Sequence, residues 1–178
     1  MSWLNFLDKK TKSDNDQNAF IKYSTKIAGY SLESANILRK IWDLNQTQWF
    51  AILFEFLYLY LNLTDRAIFG NLDNEKRDKT MLELERMSTS SLVEAVCYNW
   101  PEDKIKKIKE ECMNNYRVSM EEWGKCNRDT LFSEFSKEIA KLSGNEHNPE
   151  CILQSLELAA TSLENFDLNL KLFIESIK

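Results

Sequence analysis

The stretch that decides the fold is the most apolar one in the chain, residues 49–63, which read WFAILFEFLYLYLNL. Only Glu55 and Asn62 interrupt its apolar character. Part of it alternates as a strand would, but Ile52 is its one β-branched residue and leucine favours a helix, so we predict a helix from about residue 46 to residue 69. A membrane-spanning helix needs about 20 apolar residues, and a central carboxylate costs several kcal/mol. We therefore expect a central helix that other helices surround.

Glycine and proline are scarce throughout the sequence. The chain has four glycines and two prolines among 178 residues, where average usage gives about twelve and nine. This scarcity excludes turn-rich all-β folds and nucleotide-binding α/β folds, which need glycine-rich loops. Gly29 alone lies inside a predicted helix, and we expect another helix to approach it closely.

Apolar residues that recur every three to four positions predict further helices on both sides of the central one. We predict an all-α fold, a single up-and-down helical bundle of about five to six helices with a very apolar central helix. Residues 1–16 are expected to be an apolar N-terminal peptide plus a polar linker at 8–18, and residues 17–178 the bundle domain. The other helices are predicted at about 17–44, 73–98, 101–124, 128–143 and 149–178.

The first residues carry an apolar face formed by Trp3, Leu4 and Leu7, and Lys9 and Lys10 follow it. A short amphipathic helix of this kind lies on a membrane surface or docks on a partner. The alternative is a first turn that packs on the protein's own core or a frayed end. We rank contact with a membrane through this face below protein interaction and below ligand binding.

The net charge and the cysteine spacing limit which classes of partner and which cellular compartment we expect. The net charge is −5, from 23 basic and 28 acidic residues, which is the wrong sign for a nucleic-acid binder because such proteins neutralise phosphates. The four cysteines form no CxxC pair, so neither a zinc site nor a redox motif is indicated. We expect free thiols in a reducing, cytoplasmic location.

Catalytic signatures are missing from the sequence. It contains no phosphate-binding GxxxxGK[ST], no GxGxxG and no GxSxG motif. The single histidine, His147, lies in a predicted turn, which argues against both a dimetal bundle site and a catalytic triad. We expect no cofactor and no metal, and we lean towards a non-enzymatic protein.

One polar stripe runs along the apolar second helix. Glu55, Tyr58, Asn62 and Arg66 are spaced three and four residues apart, and Asp65 flanks them, so all five share one face. Apolar residues surround the stripe, and a buried charge needs a partner because it costs several kcal/mol alone. The functional interpretation is a polar pocket in which these five residues bind a small ligand and Arg66 holds an anionic group.

The structural alternative is that other helices supply partners for the stripe. Glu55 and Arg66 are about 16 Å apart along the helix axis, so they cannot pair with each other. Acidic residues at helix ends are the candidates for Arg66. The candidates for Glu55 are Arg39, Lys40 and Arg77.

The last helix has the most regular apolar pattern in the chain. Its spacing alternates between four and three residues, which is a heptad seam and predicts a protein partner or a homodimer through the 152–177 face. We therefore rank a non-enzymatic interaction or assembly module first, a ligand-binding bundle second and a peripheral membrane protein third. The seam consists of Ile152, Leu156, Ala159, Leu163, Phe166, Leu170, Phe173 and Ile177.

Overall fold

A computed structural model describes residues 3–178, and for residues 3–16, 128, 129 and 164 it describes the backbone alone. This part of the chain is helical and contains no strand, so the all-α prediction is confirmed. The helices are α1 (Trp3–Trp42), α2 (Gln46–Phe69), α3 (Asn74–Val96), α4 (Glu102–Trp123), α5 (Arg128–Leu142) and α6 (Pro149–Ile177).

Side-chain caps set the starts of four helices. Asn45 forms a capping box with Gln48 at the start of α2, and Asp73 accepts a hydrogen bond from the Lys76 amide at the start of α3. Asn127 caps α5 and Asn148 caps α6 in the same way. Each cap satisfies a backbone N–H that has no partner within the helix, and this stabilises the helix by about 1 kcal/mol.

The first helix is longer than the sequence pattern predicts. It begins at Trp3 and not near residue 17, so the linker expected at 8–18 is helical and the boundary at residue 16 falls inside one helix. No glycine or proline precedes Gly29, and polar residues cost a helix only tenths of a kcal/mol each once packing has nucleated it. Nothing approaches within 4 Å of the position a Cβ would take at Gly29, so the close contact expected there is wrong. The apolar face of residues 3–7 lies outside the described side chains.

The second helix is buried on all sides over most of its length. It contacts α1, α3, α4 and α5, and the Tyr60 hydroxyl donates a hydrogen bond to Ser162 Oγ of α6 at 2.7 Å. Burying a leucine or an aromatic side chain stabilises a fold by roughly 1.5–3 kcal/mol. Its fully buried side chains are Ile52, Leu53, Phe56, Leu57, Leu59, Tyr60, Leu61 and Ile68.

Helices α1 and α6 pack side by side and run in opposite directions. Phe20, near the middle of α1, packs edge-on against Phe173, near the end of α6, with 5.2 Å between ring centroids. At the opposite end of the pair, Trp42 Nε1 donates a hydrogen bond to Gln154 Oε1 at 2.7 Å. This antiparallel pair leaves a surface groove between its two helices.

Candidate functional site

Asp65 is held in a two-fold ion pair by a neighbouring helix. Arg77 Nε and Nη2 donate to its two carboxylate oxygens at 2.7 and 2.6 Å. The hydrogen bond to Asp65 raises the pKa of Arg77, so the guanidinium stays charged. Arg77 was predicted as a partner for Glu55. It reaches Asp65 instead because the short turn after Phe69 places the start of α3 beside the end of α2, about 15 Å along the axis from Glu55.

Arg66 has two neutral partners. Its Nε donates to Asn62 Oδ1 at 2.7 Å, one turn earlier on α2, and its Nη2 donates to the carbonyl oxygen of Trp123 at 2.6 Å. Trp123 is the last residue of α4, whose final carbonyls have no partner within the helix and carry partial negative charge. We expected an acidic side chain to pair with Arg66, and this expectation is wrong within the described part of the chain. The backbone carbonyl at the end of α4 accepts its hydrogen bond instead.

Three of the five predicted site residues line one cavity. Asn62, Asp65 and Arg66 face a space of about 400 Å³ between α2, α3 and α4. Asn62 also donates to Met120 Sδ at 3.2 Å across this space. The remaining residues that line it are Phe69, Arg77, Met120 and Gly124.

Tyr58 lies deeper, apart from this cavity. Its hydroxyl donates to the carbonyl oxygen of Cys112 on α4 at 3.1 Å. Burial raises the pKa of Tyr58 far above its usual range and raises that of the Cys112 thiol to about 11. Both groups stay protonated at neutral pH, so neither is an activated nucleophile or base.

Glu55 has no hydrogen bond and no ion pair among the described residues. Its carboxyl is half-buried between helices, and burial together with the carboxylates of Glu138 and Glu122 raises its pKa to about 8. The predicted partners do not reach it. Arg39 lies over the Trp49 ring at 5.2 Å, and Arg77 is taken by Asp65.

A second buried acid was not predicted from the sequence. Glu85 on α3 is 5% exposed, its Oε1 has no hydrogen-bond partner among the described residues, and burial raises its pKa. The burial of Glu85 could have been predicted from its position in the sequence. It follows Met81 by four residues and precedes Leu92 by seven, which places it on the inward face of α3.

The groove between α1 and α6 was not predicted either. It encloses about 810 Å³. Tyr23 and Phe173 stack in it with ring centroids 4.4 Å apart, and Ile21 and Leu172, which are 47% and 58% exposed, flank it. These two side chains fall between the regular apolar positions of their helices. The described residues that line it are Asn18, Ala19, Ile21, Lys22, Tyr23, Thr25, Lys26, Asn169, Leu172, Phe173 and Ser176.

The heptad seam of α6 faces inward. Phe166 and Phe173 pack against the aromatic ring of Tyr23 on α1, and Ala159, Leu170 and Ile177 are also buried. These seam residues therefore pack on other helices of the chain itself, and a protein partner or a homodimer through the 152–177 face stays a prediction. The apolar side chains that α6 exposes lie elsewhere on the helix, at Leu153, Leu168 and Leu172.

Neither a membrane span nor a metal site is found among the described residues. No helix there is long and apolar enough to cross a membrane. No group of three or more histidine, cysteine, aspartate or glutamate side chains in that part could hold a metal ion. His147 is exposed and lies 3.3 Å from a carboxylate oxygen of Glu146.

Comparison with known proteins gave no relative from which a function could be transferred. No family model, no curated protein and no solved structure matches the chain.

Proposed function

We propose that this chain is a non-enzymatic interaction module that binds an acidic amphipathic helix of a partner protein in the groove between α1 and α6. The scaffold in this proposal is a single up-and-down bundle of five to six helices around the apolar α2, and its location is the cytoplasm. The observation that carries the proposal is the groove itself, which combines exposed apolar side chains with lysines and has no carboxylate among the described residues of its lining.

A helix suits the shape of this groove. Two antiparallel helices present a channel into which a third helix inserts the side chains at every third or fourth position. Residues 18–26 of α1 and 169–176 of α6 form the two walls, which run for about 12 Å along the axis, or about two turns of a docked helix. Ile21 and Leu172 would contact its apolar face, and the stacked rings of Tyr23 and Phe173 would lie beneath it.

The charge of the groove favours an acidic partner. Lys22 and Lys26 are four residues apart, so they lie on the same side of α1, and both are exposed. The facing wall contributes the neutral polar residues Asn169 and Ser176. Complementary charge around an apolar contact speeds association and sets the orientation of the partner.

The proposal is tested with two synthetic amphipathic peptides. Both are fluorescently labelled, have about 18 residues, or five helical turns, and share one leucine face, but the polar face carries glutamates in one and lysines in the other. We expect the glutamate peptide to bind the full chain at least about tenfold more tightly than the lysine peptide in fluorescence anisotropy at low salt. Ile21→Glu and the double change Lys22→Glu/Lys26→Glu should each weaken that binding by a similar factor.

Leu153→Glu is the matched control, because Leu153 is an equally exposed α6 leucine outside the groove. It should leave the affinity unchanged, and circular dichroism should show all variants folded. Equal affinity for the two peptides, or binding that Ile21→Glu leaves intact, would refute the proposal. Light scattering supplies one more outcome that would refute the proposal. If the wild-type chain is a dimer and Ile21→Glu is a monomer, the groove binds a second copy of the chain and not an acidic partner.

A further inference from the structure

Arg66 is a half-buried cation without an anion. Both of its recorded hydrogen bonds end on neutral oxygens, the Asn62 amide and the Trp123 carbonyl. None of the ion pairs between described residues includes it. A guanidinium that has lost part of its water and pairs only with dipoles retains a strong attraction for an anion.

A second guanidinium faces the same cavity. Arg77 uses Nε and Nη2 to hold Asp65, and its Nη1 makes no hydrogen bond with a described residue. The lining of the cavity therefore carries two arginines and one aspartate, a net charge of +1. Phe69 forms an apolar wall beside them, with the Arg77 guanidinium 5.0 Å from its ring centroid.

We propose that this cavity between α2, α3 and α4 binds a small oxyanion, a carboxylate or a phosphate group. Arg66 supplies the uncompensated charge, and Arg77 supplies a second donor that Asp65 holds in place. Phe69 contacts the apolar part of the ligand that carries the group. This site is separate from the α1–α6 groove, with which it shares no residue, so it stands whether or not the groove binds a helix.

The chemistry and the size agree on this class of ligand. Planar guanidinium groups match the paired oxygens of carboxylates and phosphates and bind them through two parallel hydrogen bonds. The volume of about 400 Å³ lies at the lower end of the range for small-molecule sites, which suits a ligand of metabolite size. Asp65 does not oppose the anion, because both of its oxygens are already engaged by Arg77.

The test uses sodium phosphate and sodium acetate against sodium chloride at matched ionic strength. At about ten times its Kd, the bound anion should raise the Tm of the full chain by about 3 °C, and the rise should grow with the logarithm of the anion concentration. Arg66→Gln removes the charge but keeps an amide that can donate to the Trp123 carbonyl, and it should abolish the rise. Arg86→Gln is the matched control, since Arg86 is an exposed α3 arginine whose recorded partner is Glu83, and it should keep the full rise.

Titration of the wild-type chain by NMR supplies a readout that does not depend on a variant's folding. The Nε–H resonance of Arg66 and the amide of Gly124 should shift together and saturate with the active anion. If only phosphate or only acetate shifts these resonances, that anion identifies the group that the cavity binds. If both shift them, the cavity binds carboxylates and phosphates alike. Shifts at neither resonance, or a rise in Tm that Arg66→Gln retains, would overturn the proposal and leave Arg66 as a cap for α4.

Discussion

The two ends of the polar stripe on α2 contrast in how their charges are compensated. At the C-terminal end, Asp65 is held by Arg77, and Arg66 reaches the last carbonyl of α4. Ten residues earlier on the same face, Glu55 has no partner among the described residues, and its pKa is raised to about 8. One end meets an arginine of α3 and the last carbonyl of α4, whereas the other lies near two carboxylates, Glu138 and Glu122, and one lysine, Lys141, with which it forms no ion pair.

This contrast indicates what determines whether a buried charge on α2 is compensated. A helix end compensates a charge only where the groups that it presents have the opposite sign, as the partly negative Trp123 carbonyl does for Arg66. Glu55 lies near the ends of α4 and α5, but the side chains there include Glu122 and Glu138, which have the same sign as its carboxylate. The same stripe therefore stabilises the bundle at one end and costs stability at the other.

The largest expected effect comes from removing the cation at the compensated end. Arg77→Ala leaves the buried carboxylate of Asp65 unpaired and should lower the free energy of unfolding by about 3 kcal/mol in urea denaturation. The double variant Asp65→Asn/Arg77→Ala should recover part of that loss, because no charge remains unpaired. Lys79→Ala breaks an exposed pair with Glu75 and should change stability by less than about 0.5 kcal/mol. If Arg77→Ala and Lys79→Ala lowered the free energy of unfolding equally, the Asp65–Arg77 pair would stabilise the fold no more than an exposed ion pair does.

The raised pKa of Glu55 predicts that the stability of the fold depends on pH. The pKa of Glu55 is raised from 4.5 to about 8 in the folded chain, so between those values the folded state holds a proton that the unfolded state has released. Stability should therefore fall as the pH rises from about 4.5 to about 8 and then level off. Glu55→Gln cannot ionise and should be more stable than wild type at about pH 9 by about 2 kcal/mol, a value reduced for the solvent that reaches this half-buried group.

Urea denaturation of both proteins at about pH 5, 7 and 9, which brackets this window, measures the difference. Glu110→Gln serves as the control, because Glu110 is an exposed α4 carboxylate, and it should leave the wild-type pH profile unchanged. A Glu55→Gln profile parallel to that of wild type would show that Glu55 has found a partner in solution.

The smallest effect concerns Tyr58, which lies between the two ends. Tyr58→Phe removes the hydrogen bond to the Cys112 carbonyl while keeping the ring in the core, and it should cost about 1 kcal/mol in thermal or urea unfolding. Tyr98→Phe, at an exposed position, should cost nothing measurable. A Tyr58→Phe variant as stable as wild type would mean that water or another group satisfies this part of the stripe.

The fold class and most helix bounds followed from local sequence features. The predicted span of α2, 46–69, agrees with the structure because an apolar run ends at a glycine, and Asn148 with Pro149 marks the start of α6 as predicted. The start of α1 was misplaced because residues 8–18 are polar, although polarity alone does not end a helix. Proline and glycine are the residues that most strongly end a helix, and residues 8–18 contain neither.

The polar stripe on α2 was recognisable from the sequence, but the groups that its side chains contact were not. The spacing of Glu55 to Arg66 placed five polar residues on one face, yet which helix end meets which residue depends on how the helices pack. The α6 seam raised a similar problem, because a heptad pattern looks the same whether it covers the protein's own core or a partner. The groove left no periodic signal, since Ile21 and Leu172 lie off the regular apolar positions.

Chemical-shift mapping shows directly whether the α1–α6 groove binds an acidic helix. The glutamate peptide is titrated into the ¹⁵N-labelled full chain, and perturbed backbone amides are located along the sequence. We predict that the largest shifts fall at residues 18–26 and 169–176 and vanish in Ile21→Glu. Shifts concentrated elsewhere in the chain, or no shifts at peptide concentrations well above those of the protein, would contradict the proposed binding.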